Sequence, residues 1–131
     1  MVAVVDASAV VQLLVRGPGS ALVEELIAES VTFAPCLLDV EVLSVLARLE
    51  RTHEMTPAVA SECAATLAAA RIVRLPSDRL SSAAWALRPN LAIADAFYVA
   101  LAVLLKGSIV TADARLSRTP RLPVPVTLLA P

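Results

Sequence analysis

The chain is poor in the residues that most often carry chemistry: one histidine, one lysine, two cysteines, three glycines and four aromatic residues among 131. Cys36 and Cys63 cannot make a disulfide framework and share no metal-ligand spacing with His53, so they are expected to be reduced thiols of a cytoplasmic protein. The glycines form no phosphate-cradling loop, and Gly17-Pro18-Gly19 reads as a turn. Four rings are too few for a platform that stacks single strands. A Ser-His-Asp triad would depend on His53, which ends a helix far in sequence from any acid at a strand end. No basic excess exists either: eleven Lys and Arg face twelve Asp and Glu, a net charge of −1, so a polyanion must be met locally. The longest apolar run, Leu91 to Leu105, has 15 residues and contains Asp95, short of the roughly 20 that span a membrane. The opening MVAVVDASAVVQLLV has no basic leader and carries Asp6 inside its apolar stretch, unlike a signal peptide.

Aliphatic residues fill the gap. The chain is 58% hydrophobic and 18% charged, against roughly 45–50% and 25% in ordinary soluble domains. Its surplus of Ala, Val and Leu suits closely packed elements with spare apolar surface, and its length fits one domain over residues 1–131. Val2 to Val5 reads as a strand buried on both faces, with Asp6 at its C-terminal end. Ser20 can cap a helix through Ser30, and Val31 to Ala34 is a second strand. Leu38, Val42, Val45 and Leu49 recur at helical spacing between Leu37 and Thr52, beside a polar stripe of Glu41, Ser44 and Arg48. Thr56-Pro57 opens an alanine-rich helix to Ala70, Ile72 to Leu75 is a third strand, and Pro76-Ser77 starts a helix to Arg88. Ala92 to Lys106 is a helix apolar nearly all round, ended by Gly107. Ser108 to Thr111 gives a fourth strand, Asp113 can cap a short helix through Ser117, and Val126 to Leu129 adds an edge strand. This alternation is α/β with a mostly parallel central sheet of four to five strands flanked by helices.

In such sheets ligands sit outside the carboxyl ends of the strands. Asp6 and Asp113 fall there, and short right-handed crossovers bring the helix starts carrying Glu41 and Asp95 to the same edge. Taken singly, each acid admits a local role as a turn, a cap or a first-turn charge. Taken together they pose an electrostatic problem. At about 5 Å separation and an effective dielectric of about 20, each pair repels by roughly 3 kcal/mol, and six pairs would rival the roughly 5–15 kcal/mol stability of a domain. Either some carboxyls take up protons or a cation sits among them. Oxygen ligands without His or Cys select Mg²⁺ or Mn²⁺ and disfavour zinc. Such an ion binds phosphate oxygens and activates water, which points to phosphoester hydrolysis. Ser8 and Thr111 are placed to support the acids or to make local turn bonds. Asp39 lies roughly 200° round the helix from Glu41, so one of the two faces the site; Glu41 is preferred because it heads the polar stripe. Tyr98 and Trp85 read as packing residues.

These residues resemble the PIN-domain ribonucleases, in particular the short VapC-type toxins of toxin–antitoxin pairs. The likeness rests on VVDASAVV from Val4, DVEVLSVLARL from Asp39, IADAFYVALA from Ile93 and VTADARL from Val110, in family order and spacing. It implies a single PIN-like nuclease domain over residues 1–131. It also implies Asp6, Glu41, Asp95 and Asp113 as the acidic metal-binding and catalytic quartet, with Ser8 and Thr111 as supporting polar positions. The activity implied is Mg²⁺- or Mn²⁺-dependent endonucleolytic cleavage of RNA, such as tRNA or another structured RNA. The partners implied are a second copy in a homodimer and a VapB-type antitoxin whose C-terminal segment covers the active-site groove. Arg48, Arg115 and Arg118, with Arg51 and Arg121, are candidate contacts to RNA phosphates. Two other readings stand beside this one. A phosphoaspartyl receiver or phosphatase would use Asp6, but it wants a lysine near the site, and the phosphatase pattern wants an acid where Ser8 stands. A PIN-like module that only binds a partner would leave the acids metal-free.

Overall fold

Val2–Val5 (β1) carries no polar side chain, and Ala3, Val4 and Val5 are wholly buried, so the strand belongs at the centre of a sheet. The computed structural model describes residues 2–129 and places it there. Residues 1, 130 and 131, the ends of the expected domain, lie outside the described residues. The next elements are α1 (Ala7–Leu14), α2 (Ser20–Glu29), β2 (Val31–Pro35), α3 (Leu37–Arg51), α4 (Pro57–Ala69) and β3 (Val73–Leu75). A 3-10 turn (Ser77–Arg79), α5 (Ser81–Ala86), α6 (Ile93–Leu105), β4 (Ser108–Thr111), α7 (Ala114–Ser117) and β5 (Val126–Leu128) complete the fold.

All five strands are parallel, in the order β3-β2-β1-β4-β5. The chain builds outward from β1 to β2 and β3, then returns to lay β4 on the other side of β1. The order reverses between β1 and β4, which is the crevice where open α/β sheets take their ligands. Val2 stands opposite Val31, and Ala3 opposite Ser108. The register continues past the strand ends, because the Asp6 N–H donates to the Val110 carbonyl at 3.2 Å. The last residue of one strand and the first turn after it are thereby locked to the neighbouring strand.

Several local expectations change. The helix α1 follows β1 after one residue; its Ala-Val-Leu sequence continues the strand's apolar run and shows no clear polar face. Ser20 makes no capping bond. Gly19 is the residue before α2, and a Cβ there would lie 2.9 Å from Leu129 Cδ1. The segment after Pro76 breaks at Leu80 into the 3-10 turn and α5 rather than forming one helix. Lys106, not Gly107, takes the left-handed cap of α6, at φ 54° and ψ 40°. Gly107 is needed for close approach, since a Cβ there would meet the Val2 carbonyl oxygen at 2.8 Å. The helix α6 is buried along Tyr98 to Ala102 but leaves Ile93, Val103 and Leu104 exposed. Trp85 does not pack on its alanine neighbours: it is 60% exposed, and the Arg88 guanidinium stacks on its ring at 4.2 Å. The Thr56 cap is present, accepting from the Val59 N–H at 3.2 Å. Among the described residues, no helix is long and apolar enough to cross a membrane.

Candidate active site

At the carboxyl edge of β1 and β4 the side chains of Asp6, Ser8 and Thr111 form one hydrogen-bonded unit. Asp6 precedes α1 in extended conformation, and its Oδ1 accepts from the Ala9 N–H at 3.0 Å, the ordinary geometry of a helix cap. The same oxygen accepts from Ser8 Oγ at 2.7 Å, while Oδ2 accepts from Thr111 Oγ1. The two hydroxyls are tied in turn to the next loop, Ser8 accepting from the Ala112 N–H and Thr111 from the Asp113 N–H, both at 2.9 Å. Asp6 is 7% exposed. Burial pushes its carboxyl above the usual aspartate range, the bonds from Ser8, Thr111 and Ala9 pull it down, and the negative charge of Asp113 pushes it up again.

The other acids lie around this unit. Glu41, in the second turn of α3, accepts from Tyr98 Oη of α6 at 2.7 Å. Burial raises its pKa, the Tyr98 bond opposes the rise, and the charges of Asp95 and Asp6 add to it. Tyr98, nearly fully buried, has its own ionisation pushed well up by burial and by Glu41. Asp95, in the first turn of α6, and Asp113, at the start of α7, are bridged by one guanidinium: Arg115 Nη2 donates to Asp95 Oδ2 at 2.9 Å and to Asp113 Oδ2 at 3.0 Å. All four acids therefore share one electrostatic neighbourhood, contributed by β1, α3, α6 and the loop after β4.

A profile of the PIN domain matches residues 3–122. The chain belongs to the PIN-domain family. Ribonuclease VapC1 of Mycobacterium tuberculosis is 38% identical to it over 128 residues, covering 96% of each chain. Two solved structures share the fold of this PIN domain. PAE2754 from Pyrobaculum aerophilum superposes with a TM-score of 0.68 at 21% identity, over 95% of this chain and 87% of that one. VapBC2 from Rickettsia felis, bound to a DNA fragment from its promoter, superposes with a TM-score of 0.67 at 9% identity, over 99% and 100%. Membership places this PIN domain among the VapC ribonucleases.

The remaining expected residues divide. Asp39 faces away from the acid edge of the PIN domain and pairs with Arg74, whose Nε and Nη2 fork onto its two oxygens at 3.2 and 3.0 Å. Arg74 also donates to the carbonyls of Leu67, Ala70 and Ile72, which tie down the end of α4. Arg115 is engaged with two acids instead of standing free for phosphate. Arg48, Arg51, Arg118 and Arg121 are exposed and make no ion pair among the described residues. Arg48 lies seven residues beyond Glu41, about 10 Å along the helix. Cys36 and Cys63 are free thiols.

Tyr98 is the site residue that its packing role conceals. Its spacing of three from Asp95 puts both on one face of α6, but its partner comes from α3, which no local pattern reveals. Lys106, the only lysine, follows α6 and precedes β4, at the opposite end of the sheet from Asp6, so the phosphoaspartyl reading has no cation for its phosphate. The donors suit a hard dication in kind, being carboxylate and hydroxyl oxygens alone. An arginine already draws Asp95 and Asp113 onto one positive charge. Among the described residues no three His, Cys, Asp or Glu side chains stand grouped as a ready cage, so an ion would draw these carboxylates from their present partners.

Proposed function

We propose that this PIN domain is a Mg²⁺- or Mn²⁺-dependent endoribonuclease, acting as the toxin of a toxin–antitoxin pair on tRNA or another structured RNA in the cytoplasm. The observation that supports it most is the meeting of Asp6, Glu41, Asp95 and Asp113 in one field at the β1–β4 crevice, in a chain whose relatives are named ribonucleases. Asp6, Asp95 and Asp113 would hold the ion, with Glu41 contributing directly or through a water. A bound dication supplies charge neutralisation at the phosphate and an activated water. Ser8 and Thr111 fix the Asp6 carboxylate through both oxygens. Tyr98 holds Glu41 over the crevice, where its carboxylate positions the attacking water and takes its proton. The P–O3′ bond breaks as the new P–O bond forms, the O3′ takes up a proton, and the products end in a 5′-phosphate and a 3′-hydroxyl. Arg115, once displaced from Asp95 and Asp113, stands beside the phosphate as a cation, with Arg48 and Arg118 further along the strand's path.

A VapB-type antitoxin and a second copy are the proposed partners. Exposed Val40 and Leu43 on α3, and Ile93, Val103 and Leu104 on α6, are apolar surface for such contacts. Total RNA incubated with the Mn²⁺-loaded protein, with and without EDTA, tests the reading when new 5′ ends are mapped. Discrete 5′-phosphate ends that vanish with EDTA and with Asp95→Asn are expected. Equal cleavage by parent and Asp95→Asn protein, or none by the parent, rejects it.

A further inference from the structure

Between α1 and α3, next to the acid edge, lies a cavity of about 570 Å³, within the range of ligand pockets. Val11, Val40 and Val45 give it aliphatic walls, and Gln12 and Ser44 are its uncharged polar groups. Ser8 and Glu41 line it as well, so it is continuous with the site proposed to hold the phosphate. Gln12 makes no side-chain hydrogen bond among the described residues, and its Oε1 is buried without a partner. Native proteins seldom leave a buried amide unpaired, and such a group calls for an explanation. The amide lies against Gly17, where a Cβ would come within 2.1 Å of Oε1. Ser44 donates to the Val40 carbonyl at 2.6 Å, which leaves its oxygen able to accept.

An amide able to donate and accept, a hydroxyl able to accept, and aliphatic walls without a positive charge do not suit phosphate. They suit the edge and faces of an unpaired nucleobase, which proteins read in single-stranded RNA by burial and edge hydrogen bonds. We propose that this cavity is a base-binding subsite, taking the unstacked RNA base beside the scissile phosphate, with Gln12 reading its edge. The proposal rests on the ribonuclease reading and adds a source of cleavage specificity. Glu41 then bounds both the phosphate site and the base site, which sets the distance between the base that is read and the bond that is cut.

Short single-stranded RNAs differing only in the nucleotides flanking the cut provide the test. The parent protein should discriminate among bases at one flanking position. Gln12→Leu, which keeps bulk and removes the amide, should reduce that discrimination by roughly five- to tenfold, while the heat of Mn²⁺ binding stays at the parent value. Independently of any variant, an RNA lacking the base at that position should be cut by the parent more slowly than the preferred one. Absence of cleavage of every RNA by the metal-loaded parent would overturn the ribonuclease reading and this one with it. Cleavage with the same base preference in Gln12→Leu, or equal rates on intact and abasic RNA, overturns the subsite alone. If Gln12→Leu weakens binding of an antitoxin C-terminal peptide and leaves base preference unchanged, the cavity belongs to the protein partner and the subsite is likewise overturned.

Discussion

Tyr98 donates its hydroxyl to Glu41 at 2.7 Å, joining α6 to α3 across the crevice between β1 and β4. The bond is one of the forces that hold the Glu41 carboxyl down against burial and the charges of Asp95 and Asp6.

Tyr98→Phe should therefore raise the Glu41 pKa further and leave it protonated over more of the weakly acidic range. Calorimetric titration with Mn²⁺ should show affinity falling severalfold at about pH 6 and recovering towards the parent at about pH 8. Urea unfolding should show a loss of about 1 kcal/mol, the worth of one hydrogen bond. A parent-like pH profile for Mn²⁺ would remove Glu41 from the ion's surroundings.

The metal-free protein should respond to pH in the direction set by Asp6 and Glu41. Both carboxyls titrate higher in the folded chain than in the unfolded one, so folding favours their protonated forms. Their contribution to stability is complete below the unfolded values of 3.8 and 4.5 and is lost as pH rises through the raised folded values. Urea midpoints in EDTA for the parent and for the double variant Asp6→Asn, Glu41→Gln isolate this term from the other acids. Between about pH 4 and 7 the parent should lose stability relative to the double variant, and Mn²⁺ should restore the parent only. Parallel curves would contradict the raised values.

Arg115 places one positive charge on Asp95 and Asp113, the charge a dication would otherwise bring. Arg115→Gln should bind Mn²⁺ roughly two- to fivefold more tightly in calorimetry at low salt, with the gain shrinking as salt rises, because the ion pairs are exposed. Its cleavage of RNA should fall despite the tighter ion, because a cation beside the phosphate is gone. Unchanged Mn²⁺ affinity would mean that Arg115 and the ion do not compete.

The turn from α6 into β4 offers a test of the fold alone. Gly107→Ala puts a methyl 2.8 Å from the Val2 carbonyl and 3.2 Å from its Cγ1, both where β4 meets β1. It should cost about 1–3 kcal/mol in urea unfolding, as overpacking does. Lys106→Gly relieves a left-handed non-glycine residue and should add up to about 1 kcal/mol. Equal stabilities for the two variants would mean that the turn does not carry the strain its backbone shows.

What was legible in the sequence follows from locality. The strands Val2–Val5 and Ser108–Thr111 are short aliphatic runs, each followed within two residues by an aspartate, so strand, edge and acid could be read together. The cap at Thr56-Pro57 and the helix of α3 were equally plain, because their signals lie within a few residues. The helix α1 was hidden because Ala7–Leu14 extends the apolar run of β1, and neither helical nor alternating period stands out. The Gly107 contact depends on Val2, more than a hundred residues away, and the Tyr98 bond depends on α3. Arg115 was visible as a charge near Asp113, but its engagement with Asp95 needs α6 and α7 to meet. Asp39 was separated from Glu41 by helical angle alone; that Arg74 would claim it was not readable before β3 was placed.

The pairing of β4 with β1 makes assembly of this centre a late event in synthesis. A growing chain that ends anywhere before Ser108 already contains Asp6, Glu41 and Asp95, yet it has neither Thr111 to grip the Asp6 carboxylate nor Asp113 and Arg115 to complete the ring of charge. Cutting power is thus withheld from the nascent polypeptide until its last quarter has emerged, and the ribosome making it is not exposed to a finished nuclease before then.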